Sequence, residues 1–204
     1  MGEDFFRRDA VQVARDLLGV RLVSTVDGQE CSGVLVEVEA YLGPDDPASH
    51  AATRGGVTER NRAMFGPAGR AYVYRSYGMH WCLNVVTGRE GDGQAVLLRG
   101  LEPLSGLEVM RERRQGGEPL AAGPGRLAQA LGVTGELYGH DLTRGPLELR
   151  PGWILPDAAV EVSGRVGVGK VPEWPLRFYI RGSRGVSRSR AHPGAPALPS
   201  HVRR

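Results

Sequence analysis

Two stretches of the chain concentrate side chains that could do chemistry. The first, EAYLGPDDPASH at residues 39–50, starts with Glu39 and Tyr41 and runs into a Gly-Pro loop that carries Asp45, Asp46 and His50. Loops anchored on a sheet are where functional groups collect, and carboxylates with a histidine are potential metal ligands. The same residues also have a plain reading: Glu39 as a solvated strand end, Tyr41 as core, Asp45-Asp46 as a polar turn and His50 as an exposed loop residue. The second stretch is AYVYRSYGMHWCLN at residues 71–84. It places Tyr72, Tyr74, Tyr77, His80 and Trp81 within ten residues of a chain that is only 6% aromatic. Strand alternation sets Tyr72 and Tyr74 on one face. Tyr77-Gly78-Met79 reads as a turn tip, where apolar and aromatic side chains gain nothing from core burial. Exposed side chains of this kind can wedge into base stacks, and flanking rings can sandwich a base. The plain alternative is an aromatic hairpin packed into the core.

Other chemistries find less support. His50, His80, Asp45, Asp46 and Glu39 show no i, i+4 pair of the HExxH kind, and the chain has no CxxC, so no metal centre is expected. GPGR at 123–126 and GVG at 167–169 are Gly-rich, but neither is a Walker loop nor a GxGxxG opening a βαβ unit, so no nucleotide cofactor is expected. No GxSxG occurs. Cys31 and Cys82 have no partner base nearby and are too few for a disulfide framework, so both read as small buried residues.

With 204 residues and 41% hydrophobic composition the chain can bury a sizeable core as one domain. Its 30 Gly and 14 Pro argue for many turns and short elements and against a helical bundle. No apolar run is long enough to span a bilayer, and the first residues carry no export signal, so a soluble cytoplasmic protein with no membrane partner is expected. The formal charge of +3 is uneven: residues 184–204 hold five arginines and no acid, and the rest has 21 basic against 23 acidic residues. A basic tail on a nearly neutral body suggests an anionic partner reached through local patches. Only one of the 26 basic residues, Lys170, is a lysine.

These groups must be positioned by short elements. Val11, Ala14, Leu17 and Leu18 recur at helical spacing within Arg8–Leu18, with Gly19 as terminator. Val20–Val26 and Gln29–Glu39 flank Asp27-Gly28 and predict a hairpin. Alternation in its second strand places Val34, Val36 and Val38 on one face and Leu35, Glu37 and Glu39 on the other. A loop over Gly43–Gly56 and a short helical stretch around Thr58–Phe65 follow. Strands are expected at Ala71–Tyr77, Leu83–Thr87, Gln94–Leu101, Ala159–Ser163 and Leu176–Arg181. Ser105 should cap a helix over Gly106–Arg114, and Pro124 should open another that ends near Leu131-Gly132. The fold class expected is α+β, a single domain with a curved, mainly antiparallel sheet and surrounding helices. Its domain should span residues 1–183, followed by a basic, Pro- and Arg-rich flexible tail over 184–204.

The chain resembles the 3-methyladenine (alkyladenine) DNA glycosylase family shared by bacteria and animals. The matching segments are VEVEAYLGPDD (36–46) with His50, RNRAMFGPAGRAYVYRSYGMHWCLNV (60–85), GDGQAVLLRGLEPLSGLEVMR (91–111), GPGRLAQAL (123–131), RVGVG (165–169) and PLRFYIRGS (175–183). They follow the family's order over nearly the whole domain, and EAYLG joined to YVYxxYGM is specific. His80-Trp81 and the loop Ala51–Glu59 fall where relatives vary.

The resemblance implies a monofunctional, metal-free enzyme that acts on double-stranded DNA; no cofactor is expected, and a monomer is the default. It would flip a damaged purine out of the duplex and hydrolyse its N-glycosidic bond. Carried over by motif, Glu39 would be the general base that activates water against C1′, and Arg99 would help hold the water and the carboxylate. Tyr41, His50 and Tyr74 would wall the base pocket. Asn84 would crowd the exocyclic amine of guanine, Tyr77 would fill the gap left by the flipped nucleotide, and Met79 would sit beside it. Arg54, Arg60, Arg62, Arg75 and the arginines of 181–190 are candidate phosphate contacts. A monofunctional enzyme of this kind forms no Schiff base with a lysine, so strand cleavage is not expected; the only lysine is Lys170. The alternative reading is a non-catalytic lesion-binding protein, which would keep the aromatic pocket without the acid.

Overall fold

The structure is a computed structural model that describes residues 1–53 and 56–188. Arg54, Arg190 and the bulk of the expected tail therefore lie outside the described residues. The chain forms α1 (Glu3–Phe6), α2 (Ala10–Leu17), β1 (Arg21–Ser24), β2 (Cys31–Tyr41), β3 (Ala71–Ser76), β4 (His80–Thr87), β5 (Gln94–Ser105), α3 (Leu107–Arg113), α4 (Pro124–Ala130), β6 (Leu147–Arg150), β7 (Val160–Ser163) and β8 (Arg177–Ile180). All eight strands join one open antiparallel sheet in the order β3-β4-β5-β2-β1-β6, with β8 added to β2 and β7 to β8. With four helices, this is the expected α+β class.

The central strand is β2. One edge pairs with β5 along its length; the other pairs with β1 over residues 31–34 and with β8 over residues 37–39. The predicted hairpin is present, with Asp27 and Gly28 both at positive φ. The Asp9 carboxylate accepts the Val11 N–H at 2.8 Å, so α2 starts one residue later than Asp9 and two later than expected. Pro124 opens α4 as expected.

Two expectations are corrected. Alternation in β2 breaks because the register with β5 shifts between Leu35 and Glu37 and shifts back between Glu37 and Val38. Val36 on β2 and Arg99 on β5 are the extra residues, and such bulges re-aim the side chains around them. Leu35 therefore joins Val38 and Ala40 in the main core instead of siding with Glu37 and Glu39. The second concerns Ser105, which does not cap a helix. It ends a longer β5, and its hydroxyl meets that of Ser32 at 2.7 Å; Gly106, in the left-handed region, takes the N-cap position. The short β6, beside β1, gave no pattern that sequence reading could use.

The main core collects one face of the sheet, including Leu35, Val38, Val73, Leu83, Val85, Val96 and Leu98, together with Val13 and Leu17 of α2 and Leu127 of α4. Each buried side chain of this size contributes about 1.5–3 kcal/mol. The other face carries Glu37, Glu39, Tyr72, Asn84, Leu97 and Arg99, all buried. Burying charges there costs several kcal/mol per ion unless they are paired, so the polar partners on this face are a condition of folding.

Candidate active site

Glu39 lies near the C-terminal end of β2, paired with Leu97 on β5 and Arg177 on β8, and has no exposed surface. Its Oε2 accepts a hydrogen bond from the Tyr41 hydroxyl at 3.0 Å; its Oε1 accepts one from the Val166 N–H at 2.7 Å and faces Arg99 Nη1 at 3.3 Å. Those three donors line a cavity of about 860 Å³, and the carboxylate stands directly behind them. Burial, and then the neighbouring Glu39 charge, push the Tyr41 phenol well above its ordinary pKa, so it stays a hydrogen-bond donor.

A buried ion pair positions the Val166 N–H. Arg165 donates from Nη1 to Asp46 Oδ2 at 2.5 Å and from Nη2 to Asp46 Oδ1 at 2.8 Å, and neither side chain is exposed. Asp46 also accepts the Leu42 and Ala48 N–H groups, so the loop after β2 is tied to the segment that carries Val166. The Arg165 guanidinium sits 4.6 Å from the Tyr41 ring centroid. Asp46, a possible ligand or turn residue by sequence, is thus the anchor of the 165–169 loop. Among the described residues, no group of three or more His, Cys, Asp or Glu is placed to hold a metal ion.

Aromatic groups form another part of the lining. Tyr72 and Tyr74 share a face of β3, as alternation predicts, with ring centroids 5.4 Å apart. His50 meets Tyr74 edge-on at 4.5 Å, and its Nδ1 lies 2.8 Å from the Tyr72 hydroxyl. Asn61 Nδ2 donates to the His50 carbonyl at 3.0 Å and fixes that loop. Burial pushes Tyr72 up to about 12 and raises Tyr74 further, while burial and then the Arg60 charge lower His50. At neutral pH this part of the lining therefore carries no formal charge. Asn84 on β4 donates from Nδ2 to the Tyr72 carbonyl at 2.9 Å, which fixes the amide at the cavity surface.

The β3–β4 turn stands at the edge of the same cavity. Tyr77 (φ 50°) and Gly78 (φ 70°) are both left-handed, and the Met79 N–H donates to the Ser76 carbonyl at 3.0 Å. Two positive φ values define the turn type that suits a tight hairpin, and glycine takes the second without strain. The turn holds Tyr77 87% exposed and Met79 71% exposed. Nearby, Arg75 stacks on Trp81 at 4.6 Å and Arg60 approaches the Tyr74 ring at 5.6 Å, whereas Arg62 is paired with Glu59 on the surface.

The structure thus gathers Tyr41, His50, Tyr74, Asn84, Tyr77 and Arg99 on one cavity, with Glu39 behind it and Met79 at the same turn. Sequence reading missed Val166, the pairing of Asp46 with Arg165, and the parts of Glu37 and Lys170 in the site. Glu37 is bonded to Arg99 Nε at 2.8 Å. Lys170, expected to form no Schiff base, lines the cavity. The RVGVG segment was the available cue for the first two, because a Gly-rich turn lets backbone N–H groups approach a buried acceptor.

The family model described as Methylpurine-DNA glycosylase (MPG) matches residues 4–184. A protein of Methanoculleus marisnigri, provisionally named a 3-methyladenine DNA glycosylase, is 53% identical over 190 residues, covering 90% of this chain and 96% of its own length. One of the same provisional name from Agrobacterium fabrum is 47% identical over 190 residues, covering 91% of each chain. Another from Carboxydothermus hydrogenoformans is 43% identical over 187 residues, covering 90% of this chain and 96% of its own.

Proposed function

The chain belongs to the methylpurine-DNA glycosylase family, and from that premise we propose that it excises alkylated or deaminated purines from duplex DNA by monofunctional hydrolysis. The observation that carries the reading is a buried carboxylate set behind Tyr41, Arg99 and Val166, in a cavity that also carries an uncharged aromatic wall of His50, Tyr72 and Tyr74.

A carboxylate has about four lone-pair sites. On Glu39, two are taken on Oε1 and one on Oε2, which leaves an Oε2 position for a water. Glu39 accepts that water's proton as the oxygen bonds to C1′. The bond from C1′ to the purine nitrogen breaks with its electron pair leaving on the base, and an abasic sugar remains. The negative charge next to C1′ also stabilises the oxocarbenium-like sugar. An N-alkylated purine is cationic and already a good leaving group. Aromatic faces attract such a cation by about 0.5–2 kcal/mol each, and a neutral His50 does not repel it.

Reaching the cavity requires the nucleotide to leave the helix, at a cost of about a few kcal/mol. Tyr77 on its raised turn fills the vacated space, with Met79 beside it. Asn84, held rigid by the Tyr72 carbonyl, blocks the guanine amine sterically and leaves it without a partner. Arg60 and Arg75 at the cavity, and Arg181, Arg184 and Arg188 beyond it, supply salt-sensitive phosphate contacts. The step as drawn needs no cofactor, and the protein would work as a monomer in the cytoplasm, where prokaryotic DNA lies.

The test is a panel of duplexes bearing 3-methyladenine, 7-methylguanine, hypoxanthine or etheno-adenine, incubated with protein and treated with hot alkali. Alkali-dependent breaks at the lesion are expected. Tight binding without breaks would instead support a non-catalytic lesion binder. Because Lys170 lines the cavity, borohydride should be added in parallel: no covalent protein–DNA adduct is expected, and an adduct lost in Lys170→Ala would overturn the monofunctional assignment.

A further inference from the structure

Glu37 lies two residues before Glu39 on β2, is also fully buried, and meets four donor groups against three for the proposed base. Its Oε1 accepts from Arg99 Nε at 2.8 Å, from Arg177 Nε at 2.8 Å and from the Ser187 hydroxyl at 2.8 Å; its Oε2 accepts the Ser187 N–H at 2.6 Å. Arg99 is thereby divided. Its Nε goes to Glu37 at 2.8 Å, its Nη2 to the Ser187 hydroxyl at 3.4 Å, and only Nη1 reaches Glu39, at the longer distance of 3.3 Å. The bulges at Val36 and Arg99 create this alignment, since they set the two residues free of the regular register beside Glu37. The segment after β8 closes over it: a Cβ on Gly100 would come within 2.3 Å of the Gly185 carbonyl oxygen, so only glycine lets Ser187 reach Glu37 from there.

A guanidinium free to present its whole fork would clasp Glu39 through two parallel hydrogen bonds, the strongest form of this pair. A carboxylate clasped so is a poor proton acceptor. We propose that Glu37 is a positioning residue that takes up Arg99, with Ser187 as the lock, so that Glu39 is left unclasped as the acceptor for the attacking water. The proposal rests on the reading of Glu39 as the general base. The other charged or titratable groups around Glu39 are Arg177 opposite it on β8, Arg165 from the 165–169 loop, Tyr41 on its own strand, Tyr74 on β3 and Cys82 on β4. Of these only Arg177 hydrogen-bonds Glu37 among the described residues, so a change at Glu37 releases a second cation beside Glu39, which acts in the same direction as Arg99.

The test is the pH profile of single-turnover excision from a hypoxanthine duplex, or a 7-methylguanine duplex if hypoxanthine is not excised, for the unaltered protein and for Glu37→Gln, Glu37→Asp and Glu39→Gln. Glu37→Gln removes one negative charge near Glu39 and releases Arg99 toward it. The acidic limb should move at least half a pH unit lower and the plateau should fall at least tenfold, with lesion binding retained. Glu37→Asp keeps the charge but shortens the reach, and should shift the limb in the same direction by less; it decides the matter if Glu37→Gln does not fold. An acidic limb that stays in place in the folded variants, whatever the plateau, overturns the proposal. Glu39→Gln separates the two claims: if it excises normally the base assignment itself is wrong, whereas a dead Glu39→Gln beside an unshifted Glu37 profile sinks only the role given to Glu37.

Discussion

The charged part of the cavity lining and its aromatic part are held in different ways. Around Glu39 nearly every polar atom is committed: Asp46 and Arg165 grip each other, the Val166 N–H and Tyr41 hydroxyl hold the carboxylate, and Arg99 is shared between Glu37 and Glu39. The aromatic part is tied by few hydrogen bonds, chiefly His50 to Tyr72 and Asn84 to the Tyr72 carbonyl, and relies on ring packing. A densely paired ionic cluster fixes one carboxylate in one place, as a step that moves a proton to a stated atom requires. A packed aromatic surface adapts to bases of different outline. The division suggests that reaction geometry is built into one part and lesion tolerance into the other.

If so, damage to the charged part should spread. Asp46→Asn leaves Arg165 buried without its counter-charge, which costs about 3–5 kcal/mol and should lower the melting temperature by roughly 10 °C. Excision should fall with it, since Val166 loses its anchor; thermal melts alongside single-turnover rates check both. Damage to the aromatic part should stay local. Tyr74→Leu should melt near the unaltered protein yet lose about 0.5–2 kcal/mol of preference for cationic lesions over neutral ones, read as the ratio of kcat/KM for 7-methylguanine and hypoxanthine duplexes.

Acid should separate the two parts in order. His50 has a folded pKa below the ordinary 6.5, so its stabilisation is full above that value and is lost as pH falls from there through the lowered folded pKa. For Glu37, burial alone would raise the pKa, but Arg99, Arg177 and the Ser187 N–H outweigh it and hold the carboxyl below the ordinary 4.5; its contribution persists above that and is lost only at lower pH. Melting temperature followed downward in pH should show a first loss that His50→Asn removes and a later one that Glu37→Gln removes. The smallest change in stability is expected at the turn. Tyr77→Gly relieves about 1–2 kcal/mol of left-handed strain against a glycine entropy cost of about 0.5–1 kcal/mol, so the melt should shift little, while excision from duplex DNA drops more than excision from a single strand.

How much of this was legible in the sequence depended on whether a side chain's role is local. Tyr72 and Tyr74 on one face, the exposed Tyr77-Gly78-Met79 tip and the Asp27-Gly28 hairpin follow from alternation and turn chemistry within a few residues, and the structure reproduces them. The motif resemblance supplied Glu39, Arg99, His50 and Asn84 as a set. The face assigned to Leu35 failed because paired bulges depend on how β2 and β5 meet, some sixty residues apart. Asp46 and Arg165 are 119 residues apart and Glu37 and Ser187 are 150 apart. Those pairings arise from topology, and no periodicity in either segment records them.

The claim on which the account rests is that the Glu39 carboxylate accepts the proton of the attacking water. Single-turnover excision by Glu39→Gln, measured with lesion-duplex affinity on the same preparation, tests it most directly. The account expects excision to fall by about 10²–10⁴-fold while affinity stays within a few-fold of the unaltered protein. Excision at the normal rate would contradict it, and so would a loss of rate matched by an equal loss of binding.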